Sequence, residues 1–108
     1  MLFWPEARHR HRRVIGGRRY ELDIDAPQAV VEYDGSFSHR TSSSFSRDMR
    51  KTLALLDAGL TVVRVREKNA DTLPLLPMSH PRLVQLTHVF GSDTLLLAAR
   101  IAALVEND

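Results

Sequence analysis

Residues 21 to 35, ELDIDAPQAVVEYDG, crowd five carboxylates into fifteen residues and set Leu, Ile, Val and Tyr between them. Such alternation commits the segment to extended structure, because successive side chains on a strand point to opposite faces. In RRYELDID, residues 18 to 25, Tyr20, Leu22 and Ile24 share one face, with Glu21, Asp23 and Asp25 on the other. Pro27 marks a turn. In AVVEYD, residues 29 to 34, Val31 and Tyr33 oppose Val30, Glu32 and Asp34. The pattern predicts a hairpin. In the register that buries both apolar faces together, the carboxylates of both strands share the opposite face.

Like charges at that density need a physical answer. Two carboxylates about 4 Å apart repel by roughly 4 kcal/mol at an effective dielectric near 20. They must protonate, spread into solvent or hold a cation. An exposed polar hairpin face satisfies the second option. Magnesium suits the third, since it takes oxygen donors and fills its remaining positions with water and phosphate. A cation so held polarises a phosphate and activates water.

The remaining chain supplies helices and further strands. Ser46 as N-cap and Gly59 as stop predict a helix over 47–58, with Met49, Leu53, Leu56 and Leu55 as its apolar stripe. Asp48, Lys51 and Thr52 lie on a neighbouring face. LTVVRVRE, residues 60 to 67, reads as a strand with Val63 and Val65 opposed to Val62, Arg64 and Arg66. Three prolines make 68–81 a loop. RLVQLTHVF predicts another strand, with Val84, Leu86 and Phe90 on one side. Residues 93–106 predict a closing helix with Leu97, Ile101, Leu104 and Val105 inward. The order implies an α/β class, a mixed sheet packed by helices.

At 108 residues the chain fits one domain. No apolar run reaches the ~18 residues of a membrane span. Without cysteine there are no disulfides or thiolate metal sites. The net charge is only +2, but Arg8, Arg10, Arg12, Arg13, Arg18 and Arg19 gather at the start, with His9 and His11 among them. Residues 1–17 therefore read as a basic arm hinged at Gly16-Gly17, before a single domain over 18–108; FWPEA either anchors the arm through Phe3 and Trp4 or begins a helix. Such an arm fits a polyanion or a solvated terminus. Ser42, Ser43 and Ser44 have no partner arrangement for nucleophilic catalysis, and nothing ties His80 or His88 to metal-ligand spacing.

RRYELDIDAPQAVVEYDGSFSH, followed by RDMRKTLALLDAGLTVVRVRE, resembles the small bacterial nuclease domains of the PD-(D/E)xK, or restriction-endonuclease-like, superfamily. More narrowly it is similar to the branch related to very-short-patch-repair and EDxHD homing endonucleases. The resemblance spans about residues 18 to 67. It implies a mixed β-sheet core flanked by helices and Mg²⁺-dependent cleavage of DNA, with Mn²⁺ able to substitute. It also implies a cytoplasmic, nucleoid-associated setting, and a dimer for any double-strand cutter. Asp23 matches the family's metal-binding aspartate and Glu32 the acid of the next strand. Asp34 stands where many relatives carry lysine, and completes the metal set. His39 matches a loop histidine able to act as general base or acid. Asp48 matches the helix aspartate, and Lys51, one turn later, could replace the sheet lysine. Arg10, Arg12, Arg13, Arg18, Arg19, Arg64 and Arg66 would meet DNA phosphates. Relatives usually carry a glutamate on a helix before the first strand; here Glu6 is the only acid in that region. The same fold without catalysis, as a DNA-binding module or an interaction domain of a larger assembly, is the alternative.

Overall fold

The computed structural model describes residues 4–34, 42–68, 75–89 and 94–106. Phe3, His39 and Phe90 lie outside these residues. Seven elements follow in order: β1 (Arg8–Ile15), β2 (Arg18–Asp25), β3 (Val30–Asp34), α1 (Ser42–Asp57), β4 (Val62–Lys68), β5 (Leu83–Val89) and α2 (Thr94–Glu106). The five strands form one sheet in the order β1-β2-β3-β4-β5. β1–β2 and β2–β3 pair antiparallel, whereas β3–β4 and β4–β5 pair parallel. The expected mixed sheet with flanking helices is present. Neither described helix is long and apolar enough to cross a membrane.

The basic stretch is not an arm. Residues 8–15 pair with β2 from Arg8↔Asp25 to Ile15↔Arg18 and form the sheet's outer strand. Gly16 and Gly17 have φ of 59° and 79°, so the expected hinge is a tight hairpin turn. Two consecutive positive φ angles are what a two-residue turn between twisted strands demands, and glycine adopts them without steric cost. A row of Arg and His also suits a sheet edge, where charge discourages pairing with another chain.

The sheet carries an apolar cluster on each face. Under α1, Leu22, Val30, Val62, Leu55 and Leu56 pack with Ile15. Under α2, Val31, Val63, Val65 and Leu86 pack with Ile101, Ala102 and Trp4. Val62 and Val63 go to different clusters, as strand alternation requires. Each fully buried Leu or Val contributes roughly 1.5–3 kcal/mol. Trp4 ties the start of the chain to α2, donating its indole N–H to Glu106 Oε2 at 3.2 Å. In α2, Leu104 is exposed rather than inward, and Ala98 and Ala102 occupy the buried face. Small side chains let the helix lie close to the sheet.

Helix α1 begins at Ser42, so Ser46 lies inside it and not at its cap. Its last residue is Asp57, and Gly59 is the stop, as expected. Gly59, at φ 86°, donates to Leu56 O, and the Leu60 N–H reaches back to Leu55 O. That pair of bonds, with Leu60 packed in the cluster that holds Leu55, is a Schellman stop. Arg82 also donates to the carbonyls of Leu56 and Leu60. The buried face of α1 differs from the expected stripe: Leu53 is exposed, and Ser44, Asp48 and Thr52 are buried beside Leu55 and Leu56. The layer under α1 is therefore apolar at one end and polar at the other.

One strand departs from regular alternation. Leu22 packs under α1 but Ile24 packs in the cluster under α2, although strict alternation would put them together. The change falls at Asp23. Opposite it on β1, Arg10 takes a left-handed φ of 50°, and the β1–β2 ladder skips that position.

Candidate active site

At Asp23 the β2–β3 ladder gives way to side-chain bonds. Backbone pairing holds at Ile24↔Val31 and Asp25↔Val30. One residue further, Glu32 Oε2 accepts from the Asp23 N–H at 3.0 Å, and Asp23 Oδ2 accepts from the Tyr33 N–H at 2.9 Å. Each acid thus satisfies an amide on the other strand, and the two carboxylates are fixed beside one another. Lys51, from α1, donates to Glu32 Oε1 and, at 2.6 Å, to the carbonyl of Glu21. Burial pushes the Glu32 carboxyl up from its ordinary value. The Lys51 ammonium opposes that shift and the Asp23 charge adds to it. Asp23 Oδ1 makes no hydrogen bond among the described residues.

Asp34, two residues along β3, has a different environment. Its Oδ1 accepts from Arg64 at 2.6 Å and its Oδ2 from Arg66 at 2.9 Å. Arg66 also reaches Asp48 Oδ2 at 3.0 Å. Arg64 donates to the Thr52 hydroxyl at 2.7 Å, and that hydroxyl bonds back to Asp48 O at 2.7 Å. All five side chains are buried, and Arg66 is 0 % exposed. Arg64 and Arg66, expected at phosphates or a wet sheet edge, are instead interior cations. This also explains the buried polar face of α1, since two interior guanidiniums need two carboxylates and further acceptors.

The structure brings Asp23, Glu32 and Lys51 together, and it gathers Asp34 and Asp48 into a separate arginine network. Among the described residues, no group of three or more His, Asp or Glu side chains has the arrangement of a metal cage. Asp25 and Glu21 also meet bases. His11 Nδ1 lies 2.8 Å from Asp25 Oδ2, Arg13 lies 3.1 Å from Asp25 Oδ1, and Arg12 lies 3.7 Å from Glu21 at the surface. The crowding of acids is thus answered mainly by arginine, histidine and lysine from neighbouring elements. Asp23 alone among the five meets no cationic side chain of the described residues. Magnesium often uses only one or two protein carboxylates. Asp23 and Glu32 fit that demand, with both lone-pair sites of Asp23 Oδ1 available.

Arg10 and Arg19 are exposed on the β1–β2 hairpin. Arg18 lines a cleft of about 170 Å³ with Tyr20, Arg47, Arg50 and Lys51. Arg47 and Arg50 were not expected to contribute. Their spacing is the available signal, because positions 47, 50 and 51 project from one helical face. No family model, curated protein or solved structure matches the chain.

Proposed function

We propose that the chain is a metal-dependent DNA endonuclease domain of the restriction-endonuclease-like kind, hydrolysing a phosphodiester at Asp23 and Glu32. The observation that carries this reading is the interlocked pair of acids from adjacent strands with the Lys51 ammonium closed on Glu32. Asp23 and Glu32 would hold a divalent ion, Mg²⁺ or Mn²⁺. When bound, the ion would supply the Lewis acidity that polarises the scissile phosphate and activates water. Lys51 would set a positive charge beside the phosphate as negative charge builds in the transition state. Asp34 and Asp48 would act at one remove, holding Arg64 and Arg66 and so fixing β3, β4 and α1 against each other. His39 keeps the proton-transfer role that the resemblance implies. A DNA-bound protein of this kind would reside on the nucleoid, and cutting both strands would call for a dimer.

The test is cleavage of supercoiled DNA with Mg²⁺ or Mn²⁺, with and without chelator. Asp23→Asn should lower the rate by about 100-fold or more, equivalent to roughly 3 kcal/mol. Equal cleavage by wild type and variant, or none by either, removes the proposal.

A second reading, DNA binding without hydrolysis, has its own observation. Bases already neutralise Asp34 and Asp48 and partly neutralise Glu32, so the fold does not need a metal for charge balance. Salt-sensitive binding with neither metal uptake nor cleavage would select it.

A further inference from the structure

The arginines divide into two groups. Arg12, Arg13, Arg64 and Arg66 meet carboxylates, and Arg82 meets helix carbonyls. Arg18, Arg47 and Arg50 are exposed and make no hydrogen bond or ion pair with a described residue. Those three converge on one cleft with Lys51 and Tyr20, and among the described residues no carboxylate lines it. Three arginines with no acid beside them, next to a lysine whose one carboxylate is Glu32, reverse the sign of the crowded acids: the cleft attracts an anion.

The cleft is joined to the acid pair. Lys51 lines it and also donates to Glu32, so one side chain borders both places. Arg18 comes from β2, as Asp23 does; Arg47 and Arg50 come from α1, as Lys51 does. An anion there is held between the strand that carries Asp23 and the helix that carries Lys51. Guanidinium forks match phosphate oxygens in geometry as well as charge.

We infer that this cleft seats a backbone phosphate neighbouring the one at Asp23 and Glu32, gripped by Arg18, Arg47 and Arg50. The inference rests on the DNA reading above and adds to it the path of the strand, across the β2–α1 groove and past Lys51. The contact is to phosphate, so it carries no base preference.

The experiment measures binding of a labelled DNA duplex by anisotropy, in chelator, over a salt series. Each phosphate contact contributes about 0.9 to the slope of log affinity against log salt. Arg47→Gln with Arg50→Gln should weaken binding about tenfold and flatten the slope by about 1, the share of one phosphate, equally on two unrelated duplexes. Arg18→Gln should flatten it by no more than that. Arg100→Gln, exposed on α2 across the sheet, should leave the slope unchanged. An unaltered slope in the Arg47 and Arg50 variant, an equal fall in the Arg100 variant, or no binding by wild type overturns the inference. All these substitutions are at exposed positions, and melting curves check that each variant is folded. Because no metal is present, the outcome separates from the cleavage test. A localised slope loss without any cleavage leaves the phosphate seat standing and removes hydrolysis. Asp23-dependent cleavage with unchanged slopes does the reverse.

Discussion

Glu32 and Asp34 sit two residues apart on β3, on the same face and equally buried, yet the fold treats them differently. Asp34 belongs to a quartet with Asp48, Arg64 and Arg66 whose formal charges cancel. Glu32 belongs to a trio with Asp23 and Lys51 that keeps one negative charge. Removing a charge from water costs several kcal/mol per ion, repaid only by close partners and further hydrogen bonds. The quartet meets that demand within the protein. The trio meets it only in part, and Asp23 Oδ1, which bonds to no described residue, is left to solvent or to a cation. Acids with similar sequence settings can therefore differ in how fully the fold compensates their charge.

The largest effect that can break this contrast is on stability. Asp34→Ala removes the carboxylate that two interior guanidiniums share, and breaking a buried pair from one side costs about 3–5 kcal/mol. That is a large share of the roughly 5–15 kcal/mol that holds a typical domain folded. Asp23→Ala loses a bond to one exposed amide and should cost about 1 kcal/mol. Urea unfolding curves of the two variants measure the difference. Equal losses would mean that the two carboxylates are not distinct in kind.

A smaller effect sharpens the account of the trio. Lys51→Met removes its only cation, which should destabilise the protein by about 2 kcal/mol without divalent ions. Magnesium should then raise the melting temperature more in Lys51→Met than in wild type, and not at all in Asp23→Ala, since a ligand stabilises only the state that binds it. Thermal melting with and without Mg²⁺ reads both shifts. A gain that survives Asp23→Ala places any bound ion elsewhere.

Much of the trio was legible in the chain, because alternation brings Asp23 and Glu32 to adjacent strands and helical spacing offers Lys51. The stop at Gly59, the opposed Val62 and Val63 and the closing helix were readable for the same reason: each follows from local periodicity or one glycine. Three things were not. Strand β1 has no apolar alternation, since an edge strand needs only a partner's backbone and the Gly16-Gly17 turn. The buried face of α1 runs through Ser44, Asp48 and Thr52 at regular four-residue steps, but polar residues read as outward until Arg64 and Arg66 are known to lie beneath. The rotation of β2 at Asp23 has no signal in residue type, since Leu22 and Ile24 are equally apolar and only the packing of two helices separates them.

The smallest effect is the dependence of stability on pH, and its sign tests the charge deficit directly. Burial holds the Glu32 carboxyl above its ordinary value of 4.5, with Lys51 opposing and Asp23 reinforcing. Between that ordinary value and the raised one, the folded protein carries a proton at Glu32 that the unfolded chain has lost. Stability due to this group therefore falls as pH rises through the interval and is level above it. Glu32→Gln cannot titrate there. In chelator, the stability of wild type relative to Glu32→Gln should be highest below pH 4.5 and decline as pH rises. In a Lys51→Met background the decline should extend to higher pH, because the opposing ammonium is gone. Urea midpoints across the acid range give both curves. A difference that stays flat, or that climbs with pH, would mean that Lys51 outweighs burial, and Glu32 would then be as fully compensated as Asp34.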